Sequence, residues 1–295
     1  MKRQKIFIKI YKATYRILNK NIPLSSLILN FILSQITPYP EKIKTHNGIF
    51  YLLPRGKVSR ELTLYGVFEK DETELIKNII HEGDVVVDIG GNIGYYTLIL
   101  SNIVGKRGKV FSFEPGLENF SILEKNIMAN NLQNTVIERL AISDVSSKTK
   151  LYLAEGPGGH KIHHSNFCTK NFDVVNSITL DEYYKNNSLR NEIKFIKIDV
   201  EGAEFNVLRG MESLLKNEGL KILLEIYGPF IREFGHEPIE LFTFLRKNNF
   251  KIYSIKKLDL KKPFTSDNLL ELKTHEENKL NYEWKDQNFL CIKQK

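Results

Sequence analysis

The sequence predicts an α/β fold, a mostly parallel sheet covered by helices on both faces. Three observations predict it. Short apolar runs recur at Val85–Ile89, Val110–Phe113, Val136–Ile142, Phe195–Ile198 and Ile222–Ile226. Most segments between them carry helical spacing, as in Ser121–Met128 and Ala203–Leu215. A glycine-rich turn, Gly90-Gly91-Asn92-Ile93-Gly94, follows the first run.

Taken in order, the chain opens with basic residues alternating with Ile, Phe and Tyr from Met1 to Lys20, then a mostly apolar stretch from Ile22 to Ile36. That stretch, interrupted by Pro23, Asn30 and Gln35, falls short of the ~20 apolar residues a bilayer span needs. It also lacks the continuous apolar core and small-residue cleavage site of a signal peptide. Residues 1–40 therefore read as a basic, partly amphipathic helical extension ahead of a domain of residues 41–295. The expectation is a cytoplasmic protein whose extension is able to touch an acidic membrane surface peripherally.

Ile43–Leu53 reads as short strands around the His46-Asn47-Gly48 turn, and Asp71–Ile80 as a helix ending near Gly83. A helix starts at about Tyr95, and another covers Pro238–Lys247. Strands at Lys251–Ile255 and Phe289–Ile292 bring the main sheet to seven. The segment Gly156–Asp173 breaks the rhythm, with Gly-Pro-Gly-Gly, His160, His163, His164 and no periodicity. A long irregular insertion there is expected to act as a lid or substrate loop.

Composition narrows the class. With 42% hydrophobic and 26% charged residues in 295, the chain is neither disordered, nor collagen-like, nor a polytopic membrane protein. Cys168 and Cys291 stand far apart, which excludes a disulfide scaffold and a Cys-based zinc site. The net charge of +8 comes from scattered lysines in a chain rich in Lys, Ile and Asn, so it does not single out an anionic partner.

The sharpest chemical feature is Asp84-Val-Val-Val-Asp88-Ile-Gly90-Gly91-Asn92-Ile-Gly94. Glycines let the backbone approach a ligand, and a helix N-terminus offers free N–H groups. The GxGxxG dinucleotide fingerprint fails, because its later glycine positions hold Asn92 and Tyr95. Asp88 at the strand end repels a pyrophosphate but suits a ligand with an α-amino group. About 20 residues past Gly94, Phe113-Glu114-Pro115 ends the second strand with an acid placed to accept hydrogen bonds from ribose hydroxyls. An amine-binding Asp88, a ribose-binding Glu114 and no phosphate cradle point to S-adenosylmethionine (SAM).

The fourth strand ends in Ile198-Asp199-Val-Glu201-Gly202-Ala-Glu204. Ligands of open α/β sheets bind outside the carboxyl ends of the strands, so Asp199 is expected beside the glycine turn. Asp199 and Glu201 are candidates to orient an alcohol or take its proton, as is a histidine of the irregular loop. Glu204 serves equally well as a favourable charge at a helix N-terminus. Glu225 ends the fifth strand on the same edge and joins the catalytic candidates. Asp199 with Glu225 offers two oxygen ligands to a hard cation, but a third is not evident, so no metal is predicted.

Asp88–Gly94, Phe113-Glu114-Pro115, Ala141-Ile-Ser-Asp144 and Ile198–Glu204 resemble the FkbM-type SAM-dependent methyltransferases in residues, order and spacing, over about residues 71–255. The resemblance implies a Rossmann-like seven-stranded sheet in the order 3-2-1-4-5-7-6. It implies a SAM site around Asp88, Gly90, Asn92, Gly94, Glu114 and Ala141, and methylation of hydroxyls on a saccharide or secondary metabolite. Two other functions compete. An RNA methyltransferase suits the +8 charge, but base-amine methylation usually carries an Asn/Asp-Pro-Pro-aromatic element where this chain has Asp-Val-Glu-Gly, and its carboxylates repel a phosphate backbone. A non-catalytic, membrane-associated SAM-binding module suits the basic N-terminus but has no need of Asp88, Glu114 and Asp199 together.

Overall fold

The computed structural model describes residues 40–54, 56–154, 159–162, 168–187, 193–255, 271–272 and 287–294. The expected N-terminal extension, His163 and His164 lie outside them. A hairpin comes first, β1 (Lys42–Thr45) against β2 (Gly48–Tyr51), turning where expected. Helices α1 (Lys57–Tyr65) and α2 (Lys70–Ile79) follow. Then come β3 (Val85–Ile89), α3 (Tyr95–Val104), β4 (Lys109–Phe113), α4 (Leu117–Ala129) and β5 (Thr135–Glu138).

The expected third strand, Val136–Ile142, divides. Its second part, β6 (Ala141–Ile142), leaves the main sheet and pairs with a long hairpin, β7 (Ser147–Ala154) and β8 (Cys168–Ile178). The segment expected to be irregular up to Asp173 is thus partly strand. Its polarity hides it: β8 buries Val175 and Ser177 but exposes Asn171, Phe172, Val174 and Asn176, so only one face carries a core signal.

Helix α5 (Leu180–Asn186) leads to β9 (Ile193–Ile198), α6 (Glu204–Arg209) and β10 (Lys221–Ile226). The helix expected over Ala203–Leu215 is shorter than predicted, capped at Gly210 and followed by a single 3-10 turn, Leu214–Lys216. Helices α7 (Gly228–Glu233) and α8 (Pro238–Lys247), then β11 (Phe250–Ser254) and β12 (Gln287–Lys293), complete the fold. The α8 N-terminus is held by a capping box in which Glu237 and Glu240 each accept a backbone N–H of the other's residue.

The main sheet runs β5-β4-β3-β9-β10-β12-β11. Counted along the chain this is 3-2-1-4-5-7-6, the Rossmann-like order that the resemblance implies. Five strands are parallel, and β12 is antiparallel to both its neighbours, β10 and β11. All five residues of β3 are buried, because helices cover both faces. Strand alternation divides the core in two. Val85, Val87, Ile89, Ile196, Ile198, Ile222 and Leu224 face one layer with α6 and α8. Val86, Phe195 and Leu223 face the other with α2 and α3. Among the described residues no helix is long and apolar enough to cross a membrane.

Candidate active site

A cavity of about 850 Å³ opens at the carboxyl ends of β3, β4, β9 and β10, the place such sheets bind ligands. One part of its wall is backbone. At Gly90 the chain takes φ +84, and a β-carbon there would stand 1.8 Å from the Asp199 carbonyl oxygen, so only glycine lets β3 and β9 end side by side. The Gly90 and Gly91 N–H groups donate to the Phe113 carbonyl and anchor the turn to β4. Glu114 closes this part. Its Oε2 accepts from the Asn92 N–H at 2.9 Å and its Oε1 from the Gly116 N–H at 2.8 Å. Burial pushes its carboxyl up to about 7 against those bonds. A carboxylate has about four lone-pair sites, and with Asn119 also bonded one remains for a ligand. Beside it on α4, Asn119 bonds Glu114, and its buried Oδ1 has no partner.

Gly90, Asn92, Glu114 and Ala141 line the cavity as expected, with Ile89, Phe113, Leu140 and Ile142 as an apolar slot. Two expected cofactor residues do not line it. Asp88 is 1% exposed and turned under the sheet: its Oδ2 accepts from the Thr97 hydroxyl at 2.6 Å and its Oδ1 has no partner. The alternation that sends Val86 towards α3 sends Asp88 there too. Gly94 caps α3, and its missing β-carbon makes room for the Leu123 side chain of α4 rather than for a ligand.

The other part of the wall is charged. Asp199, Glu201 and Glu225 all line it. So does Lys197, which the sequence reading missed; it is buried, with its Nζ 2.8 Å from Asp199 Oδ2 and 4.6 Å from the centre of the Tyr96 ring. It pairs in register with Asp88 of the neighbouring strand. Burial opposes its charge, but the carboxylates of Asp199, Asp88, Glu69 and Glu225 hold it above the ordinary lysine value. Burial alone would raise Asp199 as well; the Lys197 ammonium wins and keeps it below the usual carboxylate range. Glu225 shares a hydrogen bond with Asp199 and is driven well above that range, by burial first and by Asp199 second. Of the two, Glu225 is the one that holds a proton more readily. Among the described residues no cluster of three or more His, Cys, Asp or Glu has the arrangement of a metal site.

Glu204 folds back on its own loop, its Oε1 accepting from the Val200 and Gly202 N–H groups, and burial pushes it up to about 7. His160 lines the cavity but packs against Gly116, next to Glu114; its Nδ1 accepts from the Ala154 N–H at 3.1 Å, and burial lowers its pKa. Beside it, buried Lys161 pairs with Glu233 at 3.0 Å and lies on the Phe230 ring, fastening this loop to α7. Glu69, between α1 and α2, completes the charged wall. The Tyr96 hydroxyl donates to its Oε2 at 2.7 Å, and Lys57 of α1 lies 3.6 Å from its Oε1.

The model of the methyltransferase FkbM domain matches residues 88–252. The hexuronic acid methyltransferase AglP of Haloferax volcanii is 30% identical over 164 residues, which are 54% of this chain and 62% of that protein. Methyltransferase 1 of Beauveria bassiana is 23% identical over 145 residues, 43% of this chain and 58% of its own. The chain thus spans about six tenths of the length of these two curated relatives. The crystal structure of an FkbM methyltransferase from Methylobacillus flagellatus covers 78% of this chain and 46% of its own, at 14% identity and a TM-score of 0.45.

Proposed function

This chain belongs to the FkbM methyltransferase family, and from that membership we propose that it transfers a methyl group from SAM to a hydroxyl of a saccharide or a related secondary metabolite. The observation that carries the proposal is the single cavity whose wall is a glycine turn with Glu114 on one part and Lys197, Asp199 and Glu225 on the other. SAM fits the first part. Glu114 keeps one free acceptor site, Asn119 offers an orphaned oxygen, and the apolar slot suits an adenine. With Asp88 turned away, backbone of the glycine turn is left to meet the methionine end.

SAM, when bound, supplies a methyl group made electrophilic by a sulfonium. The protein's task is then positioning and removal of water. Asp199, kept ionised by Lys197, accepts a hydrogen bond from a hydroxyl of the acceptor next to the reacting one, and so directs the reacting oxygen's lone pair at the methyl carbon. Glu225 steadies Asp199 through their shared hydrogen bond, and Glu201 extends the acceptor-binding edge. Carboxylates of this kind pair with the hydroxyls of a sugar, and the hexuronic acid methyltransferase among the relatives supports that acceptor class. The Lys197 ammonium already supplies the positive charge the carboxylates need, so the reaction is metal-independent. Calorimetric titration with SAM, followed by mass-shift screening of hydroxylated glycans, tests the reading. Micromolar SAM binding and a gain of one methyl group are expected; no heat at millimolar SAM overturns it.

A further inference from the structure

We propose that Glu69 takes the proton from the acceptor hydroxyl, making it a catalytic residue supplied from outside the segment that defines the family. The inference rests on the methyl-transfer reading above. Glu69 precedes residues 88–252, and neither its neighbours nor its spacing marks it in the sequence. Packing of α2 against α3 carries it to the charged wall.

Its backbone is held at φ 41 and ψ 70, a left-handed conformation that a residue with a β-carbon adopts at a cost. Such strain persists where the surroundings impose it, and it concentrates at functional sites. Here the surroundings are the Tyr96 hydroxyl on one carboxylate oxygen and Lys57 near the other. The same Tyr96 ring carries Lys197 on its face. One tyrosine thus joins Glu69 to the Lys197–Asp199 pair, and all line one cavity.

Lys57 and Lys197 stand against the carboxylates of Glu69 and Asp199 in this wall. The two ionised carboxylates are unequal. Lys197 holds Asp199 low, which makes it an orienting group and a poor proton acceptor. Burial, partly offset by Lys197 and Lys57, brings Glu69 up to about 7, where a general base works best. The groups that face Glu69 are Lys57 from α1, Tyr95 and Tyr96 from α3, Lys197 from β9, Asp199 just past its end, and Glu225 from β10.

The step balances. An oxygen lone pair of the acceptor forms the new C–O bond as the methyl–sulfur bond breaks, and that bonding pair stays on sulfur as a neutral thioether. The hydroxyl proton passes to the Glu69 carboxylate and leaves to water after product release.

The test compares the full chain with E69Q and E69G, using D-glucuronic acid as probe acceptor and measuring S-adenosylhomocysteine release from pH 5.5 to 9. Wild-type kcat should rise with pH through about 7, because the base must be ionised. E69Q should lose that rising limb and ~100-fold of kcat at pH 8, with SAM affinity by calorimetry within about threefold of wild type, since the carboxylate acts on the acceptor. E69G, which relieves the left-handed strain, should melt no lower than wild type and be as inactive as E69Q; it stands in if E69Q fails to fold. An E69Q or E69G enzyme that keeps the limb, or kcat within threefold, overturns the assignment of Glu69 and leaves the methyl-transfer reading intact. Wild type that binds SAM but releases no product from the probe overturns both.

Discussion

The two parts of the cavity wall are built on different principles. The Glu114 part is mostly backbone: a tight turn, strand-end N–H groups and one carboxylate that ties them together. The Lys197 part is made of long side chains from four separate elements, meeting in a buried charge network. A backbone surface presents fixed donors to a ligand of constant shape. A side-chain network can be retuned residue by residue. The difference agrees with the proposed reading, in which the constant partner, the methyl donor, meets the first part and the variable partner, the acceptor, meets the second.

Substitutions can break this contrast, and the largest effect is expected at Asp199. Asp199→Asn removes the charge that Lys197 holds in place, so turnover should fall at least ~100-fold while SAM affinity stays within a few-fold. A matching loss in SAM affinity would mean that the two parts are not separate. Next is Glu114→Ala, which removes a charged acceptor and unties Asn92 and Gly116. Calorimetry should show SAM bound at least ~10-fold more weakly, from a loss of about 1.5–3 kcal/mol. Unchanged affinity in the folded variant would remove Glu114 from the cofactor site.

A smaller effect is expected on stability without ligand. Burial raises Glu69, Glu114 and Glu204 to about 7 and Glu225 beyond the usual range. A carboxyl raised in the folded state contributes stability that is complete below its unfolded pKa of about 4.5 and is lost as pH rises to its folded value. His160, lowered by burial, opposes this below about 6.5 but is one group against several. Differential scanning fluorimetry should show Tm falling by about 5 °C or more between pH 5 and 7, then levelling except for the contribution of Glu225. A Tm that rises across this window would contradict the buried carboxyls. The smallest effect is none: EDTA should leave turnover unchanged, because Lys197 supplies the charge a metal would bring. Loss of activity with EDTA and recovery with magnesium would make Asp199 and Glu225 metal ligands and overturn the account of Lys197.

The backbone part was also the more legible in sequence. Glycines, a strand-end acid and their spacing lie within short stretches, and Gly90, Asn92 and Glu114 line the cavity as the motif reading expects. Asp88 went astray because strand alternation turns it towards Thr97. The same alternation could have found Lys197, two residues after Phe195 and therefore on the same face of a buried strand, where a lysine requires partners. Glu69 carried no local signal, since its place depends on how α2 packs on α3. The β7–β8 hairpin was missed for the opposite reason: its residues face solvent on one side and look like loop.

The position of β12 has a consequence for how the protein is made. This strand, which buries Phe289, Leu290 and Cys291, lies between β10 and β11, yet about 60 residues of chain separate it from β10. A ribosome adding ~5–20 residues per second needs several seconds to cover that interval. Through that time β10 presents an unpaired edge, and Glu225 at its end has no finished sheet to hold it. A nascent chain with such an edge is open to pairing with another strand. The charged wall is therefore completed only once β12 has been made and joins β10 to β11.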